Sequence, residues 1–285
     1  MRILILGHRG MLGSDLFLSL GTSHDVTGKD MDDFDITSPV ACHDIISEAR
    51  PEIIINAAAY TDVDGCESNR QKCFSVNADG IKNVALACKG IKVVHFSTDY
   101  VFDGRKEMPY VEDDLCHPVN IYGRSKLEGE LFLRTFSDNF LLIRTAWLYG
   151  INGRNFVKTI AEKASTSKTI DVVDDQIGSP TYTWDLAAAV QLLIEGHHRG
   201  FFHVTNSGYC SWYEFAVKIL EYTGIKDVEV RPIRSGRLRR PADRPLYSVL
   251  SCEKFQKVTG KIMAQWQVAL HDYIGRKGKG TFLKY

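Results

Sequence analysis

Two side chains four residues apart carry the most suggestive chemistry in the chain: the phenol of Tyr122 and the ammonium of Lys126, in the run Tyr122-Gly-Arg-Ser-Lys126-Leu-Glu-Gly-Glu130. On a helix, residues at this spacing share a face. A free phenol titrates near roughly pH 10, so a positive charge beside it would ease the loss of its proton at neutrality. Such a pair suits proton transfer to a carbonyl oxygen that is gaining charge. Tyr and Lys at this spacing also recur on ordinary surface helices, so the pair takes its meaning from the rest of the chain. A hydroxyl at the end of a neighbouring strand would complete it. Ser97-Thr98-Asp99-Tyr100 offers one, and Thr98 could bind the same oxygen.

The elements that must position these groups read as alternating strands and helices. Ile3-Leu-Ile-Leu6 is a continuous apolar run of the kind a parallel strand buried on both faces requires. Gly7-His-Arg-Gly10-Met-Leu-Gly13 follows, and a helical pattern runs from Leu12 to Leu20. Strand, glycine turn and helix form the dinucleotide-binding context, in which the backbone approaches a pyrophosphate and the helix N-terminus supplies N–H groups. The G-x-x-G-x-x-G spacing resembles the short-chain dehydrogenase/reductase version of that fold. A second strand near Asp25–Thr27 ends at Gly28-Lys29-Asp30, where an acid would bind an adenosine ribose and a base a 2′-phosphate. Both types are present, which leaves the choice between NADP(H) and NAD(H) open.

Further strands are expected at Ile53–Ile55, Val93–Ser97, Phe140–Ile143 and 200–205. Three small residues, Ala57, Ala58 and Ala59, follow the third strand and would let a flat ligand lie on the backbone. Asn77, on a helix through Val76, either touches that ligand or is structural, with the first preferred. Pro109–Asn120 reads as a loop over the strand ends that shapes a substrate pocket. Helices are expected at Thr183–Ile194, Trp212–Tyr222 and Ala264–Ile274, and 276–280 as a solvated tail. The fold class is α/β: a doubly wound parallel sheet of Rossmann type with a smaller C-terminal lobe. Residues 1–150 with about 182–206 form the nucleotide-binding domain, and about 151–181 with 207–285 the substrate lobe.

Composition narrows the function classes. The chain has 285 residues, 35 basic and 35 acidic side chains, and no apolar stretch long enough to span a bilayer. Charge balance argues against nucleic acid or an anionic membrane as partner, so any anionic ligand is held by local groups. The seven cysteines are scattered, without metal-ligand spacing, which points to free thiols, a cytoplasmic location and no metal site.

Taken together, the motifs resemble dTDP-4-dehydrorhamnose reductase, an extended short-chain dehydrogenase/reductase family. The resemblance runs from Met1 to about Ser251. It rests on Gly7-x-x-Gly10-Met-Leu-Gly13, Asn56-Ala-Ala-Ala-Tyr-Thr-Asp-Val-Asp64, Ser97-Thr-Asp-Tyr-Val-Phe-Asp-Gly104 and the Tyr122 run. Arg144-Thr-x-Trp147, Asp175-Gln-x-Gly-Ser-Pro-Thr181, His203-Val-Thr-Asn-Ser-Gly208 with Ser211-Trp212, and Arg244-Pro-x-Tyr-Ser248 complete it. The resemblance implies reduction of a C4 ketone in a dTDP-sugar, with Thr98, Tyr122 and Lys126 catalytic. It places Gly7, Arg9, Gly10, Met11, Leu12, Gly13, Lys29 and Asp30 on the cofactor. Asp35, Ile36, Ala57, Ala58, Ala59, Tyr60, Asn77, Ser97, Tyr122 and Lys126 complete that set. Asp99, Tyr100, Trp147 and Arg244 are implied on the sugar nucleotide, and the assembly as monomer or homodimer.

Two rivals share these motifs. A sugar-nucleotide dehydratase or epimerase shares the Tyr/Lys pair, but dehydratases carry Glu where this chain has Tyr100. The non-catalytic regulatory subunit of methionine adenosyltransferase also resembles the family.

Overall fold

The apolar runs become a parallel sheet. In a computed structural model that describes residues 1–278, six strands pair in the order β6-β5-β4-β3-β1-β2. They are β1 (Arg2–Leu6), β2 (Asp25–Lys29), β3 (Ile53–Asn56), β4 (Lys92–Thr98), β5 (Phe140–Thr145) and β6 (Gly200–His203). Every pairing is parallel. Successive side chains of a strand point to opposite faces, and here both faces are covered. Ile3, Ile5, Ile53 and Ile55 pack with Leu186 and Val190 of the helix Thr183–Glu195. Leu4, Leu6 and Ile54 pack on the other face with Ile81, Val84 and Ile45. The chain reverses its direction of strand addition between β1 and β3, and the crevice at that switch point is where ligands bind in open α/β sheets.

The helix expected through Val76 is three segments: Arg70–Phe74, a π-helical turn Ser75–Asp79 and Gly80–Ala87. π-turns recur at functional sites, and Asn77 lies in this one. Ser38 caps the helix Pro39–Ala49, accepting the Ala41 N–H at 3.3 Å, with the proline in the first turn as expected. A helix at Phe156–Thr166 and a parallel ribbon, Thr169–Val173 with Glu229–Ile233, were not legible beforehand. They join the helices Trp212–Thr223 and Trp266–Gly278 around a second core that includes Tyr149, Ile160, Phe215 and Leu270. The helix continues through Arg276 to Gly278, so the start of the expected tail is ordered, and its remainder lies outside the described residues. Among the described residues no helix is long and apolar enough to cross a membrane.

One sequence expectation is borne out and one corrected. Cys66 and Cys73 are free, buried thiols as expected, and Cys73 Sγ donates to Cys66 Sγ at 2.8 Å. The stretch Pro109–Asn120 is strapped to the sheet and does not line the substrate cavity described below. The Tyr110 carbonyl accepts from His203 Nδ1 at 3.0 Å, and Glu112 Oε1 accepts the His203 N–H at 2.9 Å.

Arg144 is the anchor of this strap. Its guanidinium donates to both oxygens of Glu130 at 2.9 and 2.7 Å and to the Glu112 carbonyl at 3.2 Å. The Arg144 and Glu130 side chains are 4% and 2% exposed. Two buried ions tolerate each other's company, whereas one alone is costly. Glu130→Leu is therefore expected to lower unfolding free energy by about 3–5 kcal/mol, and the double variant Glu130→Leu, Arg144→Met to recover most of that loss. Urea denaturation of the three proteins checks this; equal losses in single and double variants contradict it.

Candidate active site

Tyr122 and Lys126 open the helix Ile121–Phe136, which Asn120 caps by accepting the Gly123 N–H at 2.7 Å. The helix lies against the carboxyl end of β4. Lys126 is 3% exposed; its Nζ donates to the Phe96 carbonyl at 2.6 Å and stands 3.4 Å from His95 Nε2. Burial pulls this ammonium down to about 8, with Glu130 and Cys73 acting the other way. Tyr122 goes in the opposite direction. Burial and the Asp99 carboxyl push its phenol above the usual range, and the Thr98 hydroxyl pulls it partly back. Thr98 thus meets Tyr122, while Lys126 sits on the main-chain carbonyl of Phe96 and does not ease the phenol. An acid with a raised pKa keeps its proton until a base such as a nascent alkoxide takes it.

The switch-point crevice is a cavity of about 440 Å³ lined by Gly7, Gly10, Asp30, Asp35, Ile36, Ala57, Ala58 and Ala59. Gly7 has φ +81°, and a Cβ there would come within 2.7 Å of the Ala58 nitrogen, so only glycine fits. Ser97 Oγ at the end of β4 is buried with no hydrogen-bond partner among the described residues. An unpartnered buried hydroxyl and a glycine-floored crevice are what a dinucleotide would fill. Met31, Phe34 and Val76 line the same cavity and were missed. The signal was present in Asp30-Met-Asp-Asp-Phe-Asp35, where apolar residues interrupt acids.

Other expected cofactor residues stand apart from this lining. Arg9 donates its main-chain N–H to Asp30 at 2.9 Å and its guanidinium to Asp32 at 2.6 Å. Lys29 contributes its carbonyl, which accepts the Gly7 N–H at 2.8 Å. Met11 and Gly13 belong to the opening helix Met11–Leu20, and the Leu12 side chain is in the core. Tyr60 is outside this lining, with its main chain bonded to Asn77. Asn77 is corrected: it is 1% exposed, its Oδ1 accepts the Tyr60 N–H at 2.8 Å, and its Nδ2 donates to the Tyr60 carbonyl at 3.0 Å and to Ser125 Oγ at 3.0 Å. Its amide clamps the loop after β3 to the Tyr122 helix, with both N–H groups on protein acceptors.

A second cavity, of about 660 Å³, is lined by Tyr100, Phe156, Trp212, Arg239, Arg240 and Arg244, with Asp62 and Asp64. Tyr100 joins it to the first group, its ring edge meeting Tyr122 at 5.9 Å. Trp147, expected in this pocket, lies behind Trp212, stacked at 3.5 Å and 6°. Its backbone has φ +48°, and Gly178 leaves room for the indole, since any Cβ there would strike the ring. Arg244 lines the cavity, but its fork is engaged by Asp64 at 3.0 and 2.8 Å. Burial pushes the Asp64 carboxyl up, and the Arg244 and Ala242 hydrogen bonds bring it below the usual range. Arg154, Arg239 and Arg240 are exposed arginines of this lining. Asp99 is corrected too: it is 2% exposed and faces Thr98, not the cavity.

The clamp at Asn77 makes a measurable claim. Asn77→Ala would leave the Tyr60 main chain and Ser125 without partners, so unfolding free energy of the cofactor-free protein is expected to fall by about 2–3 kcal/mol. Unchanged stability in urea, with weaker nucleotide binding, would return Asn77 to the cofactor.

The chain is similar to known proteins over nearly its whole length. The family model described as RmlD substrate binding domain matches residues 1–278. A dTDP-4-dehydrorhamnose reductase from Clostridium acetobutylicum is 42% identical, with TM-score 0.94 over 98% of this chain and 100% of that one. One from Bacillus anthracis, solved in complex with NADP, is 39% identical, with TM-score 0.93 over 96% and 99%. A spore coat polysaccharide biosynthesis protein of Bacillus subtilis is 39% identical over 276 residues, 96% of each chain. With the model covering nearly its whole length, the chain belongs to the RmlD substrate-binding family of extended short-chain dehydrogenase/reductases.

Proposed function

We propose that the chain is an NADPH-dependent reductase of the C4 ketone of dTDP-4-dehydro-L-rhamnose, forming dTDP-L-rhamnose in the cytoplasm for cell-surface polysaccharide. The observation that carries this reading is the meeting of Thr98 and Tyr122 at the end of β4, with Lys126 one turn on along the same helix and bound to Phe96, beside a glycine-floored crevice and an arginine-rich cavity. The nicotinamide, when bound, supplies hydride. Tyr122 gives its phenolic proton to the C4 oxygen, and Thr98 binds that oxygen from the strand side. Lys126 leaves the Phe96 carbonyl to hold the nicotinamide ribose, which brings its charge toward the phenol.

The division of labour along the chain follows. Residues 1–150 with about 182–206 take the cofactor, and about 151–181 with 207–285 take the sugar nucleotide. Arg239 and Arg240 are the guanidinium groups for its diphosphate, while Arg244 stays paired with Asp64. Trp212 and Tyr100 offer aromatic faces to the apolar side of the deoxysugar. NADP(H) is preferred to NAD(H) because the Bacillus anthracis relative was solved with NADP.

A spectrophotometric assay decides the matter. The protein is expected to oxidise NADPH in the presence of dTDP-4-dehydrorhamnose, and Tyr122→Phe to lower kcat by about 10²–10⁴-fold while NADPH still binds. A wild-type protein that binds NADPH and reduces none of the keto sugar would overturn the reading.

A further inference from the structure

Thr98 is asked to bind an oxygen that becomes an alkoxide, and such an oxygen needs donors. A hydroxyl has one proton to donate and two lone pairs. Here the proton is already engaged: Thr98 Oγ1 donates to Asp99 Oδ1 at 2.9 Å. One lone pair accepts the Tyr100 N–H at 3.1 Å. An ionised carboxylate only accepts, so while Asp99 is charged the direction of its bond to Thr98 is fixed. Thr98 can then present only a lone pair to a ligand.

Protonation of Asp99 reverses that bond. The carboxyl O–H donates to Thr98 Oγ1, the Tyr100 N–H fills the other lone pair, and the threonine proton is released for a new acceptor. We propose that Asp99 is a positioning residue whose protonated carboxyl turns Thr98 from an acceptor into a donor toward the reacting carbonyl oxygen. The proposal rests on the reading of Thr98 and Tyr122 as the groups that meet that oxygen. The carboxyl proton stays on Asp99 throughout, and the proton delivered to the sugar is that of Tyr122.

The surroundings favour the neutral acid. Asp99 is 2% exposed, and its Oδ2 has no hydrogen-bond partner among the described residues. A carboxylate buried this deeply, with one oxygen short of a well-placed donor, is disfavoured as an anion. The groups that face it are Thr98 on β4, Tyr100 beside it, Tyr122 on the helix above and Ser248 on the C-terminal segment, with Arg240 and Arg244 beyond Tyr100. Burial raises the carboxyl to about 6, with the Ser248 and Thr98 hydroxyls drawing it back. A sugar seated over the site excludes more water and moves it further in the same direction.

The test is the pH profile of kcat at saturating NADPH and keto sugar. Between pH 5.5 and 7.5 the wild type is expected to lose at least about fivefold, a window below that in which Lys126, held at about 8, titrates. Asp99→Asn carries an N–H that donates to Thr98 without titrating, and its rates over this window should differ by under about twofold. Asp99→Ala should be slower than Asp99→Asn at every pH. Carboxyl carbon NMR of the labelled wild type with NADPH bound should show a resonance, absent from Asp99→Asn, that titrates at about 6 or above. An Asp99→Asn profile that keeps the wild-type fall, or an Asp99 resonance titrating in the ordinary range near roughly 4, would overturn the proposal. A wild type inert toward the keto sugar would instead overturn the parent reading, and the NMR titration would still decide whether Asp99 holds its proton.

Discussion

The bond from the Lys126 ammonium to the Phe96 carbonyl, 2.6 Å long and buried, joins the helix Ile121–Phe136 to β4. A desolvated ammonium needs an acceptor, and the carbonyl near the end of the strand supplies it. From that join the rest of the site takes its place. Ser125, one residue before Lys126, accepts from Asn77, and Asn77 fixes the main chain of Tyr60 just beyond the alanines that wall the dinucleotide crevice. One turn after Lys126, Glu130 holds Arg144 on β5. Tyr122, the loop beside the crevice and the strap over the sheet are therefore all held by one helix.

The same burial sets the chemistry. Desolvation disfavours charge, so it lowers Lys126 while it raises Tyr122 and Asp99. The site is consequently poised with its charges suppressed until ligands arrive: a phenol that holds its proton, an ammonium resting on a carbonyl, and a threonine whose direction of donation depends on its neighbour. Cofactor and sugar bring oxygens that compete for these donors. On the far side of Tyr100 the arginine-rich wall is partly neutralised by Asp64, while Arg154, Arg239 and Arg240 are exposed on it.

Much of this was legible in the chain. The strands of the sheet announced themselves because buried parallel strands must be apolar throughout, and Gly7 and Ala57–Ala59 did so because only small residues allow a ligand onto the backbone. Tyr122, Lys126 and Thr98 were found through motif and spacing. What stayed hidden was set by tertiary geometry. The amide of Asn77 could have faced a ligand or the chain, and only packing shows that it clamps Tyr60. Trp147 and Trp212 are equally aromatic in sequence, yet the stack at 3.5 Å puts one behind the other. Arg244 reads as a contact to the sugar nucleotide, and only the fold shows that Asp64, 180 residues away, occupies its fork. The ribbon Thr169–Val173 with Glu229–Ile233 escaped notice because its partners lie far apart in the chain and half its residues are exposed.

The central claim, that this site delivers hydride to one face of a C4 ketone while Tyr122 supplies the proton, is tested most directly by isotope placement. Reduction of dTDP-4-dehydrorhamnose with NADPH deuterated at the transferring position, followed by proton NMR of the product, should put a single deuterium on C4 of the sugar and none elsewhere. Deuterium at another carbon, or a sugar that exchanges with solvent and gains none from the nicotinamide, would contradict the account.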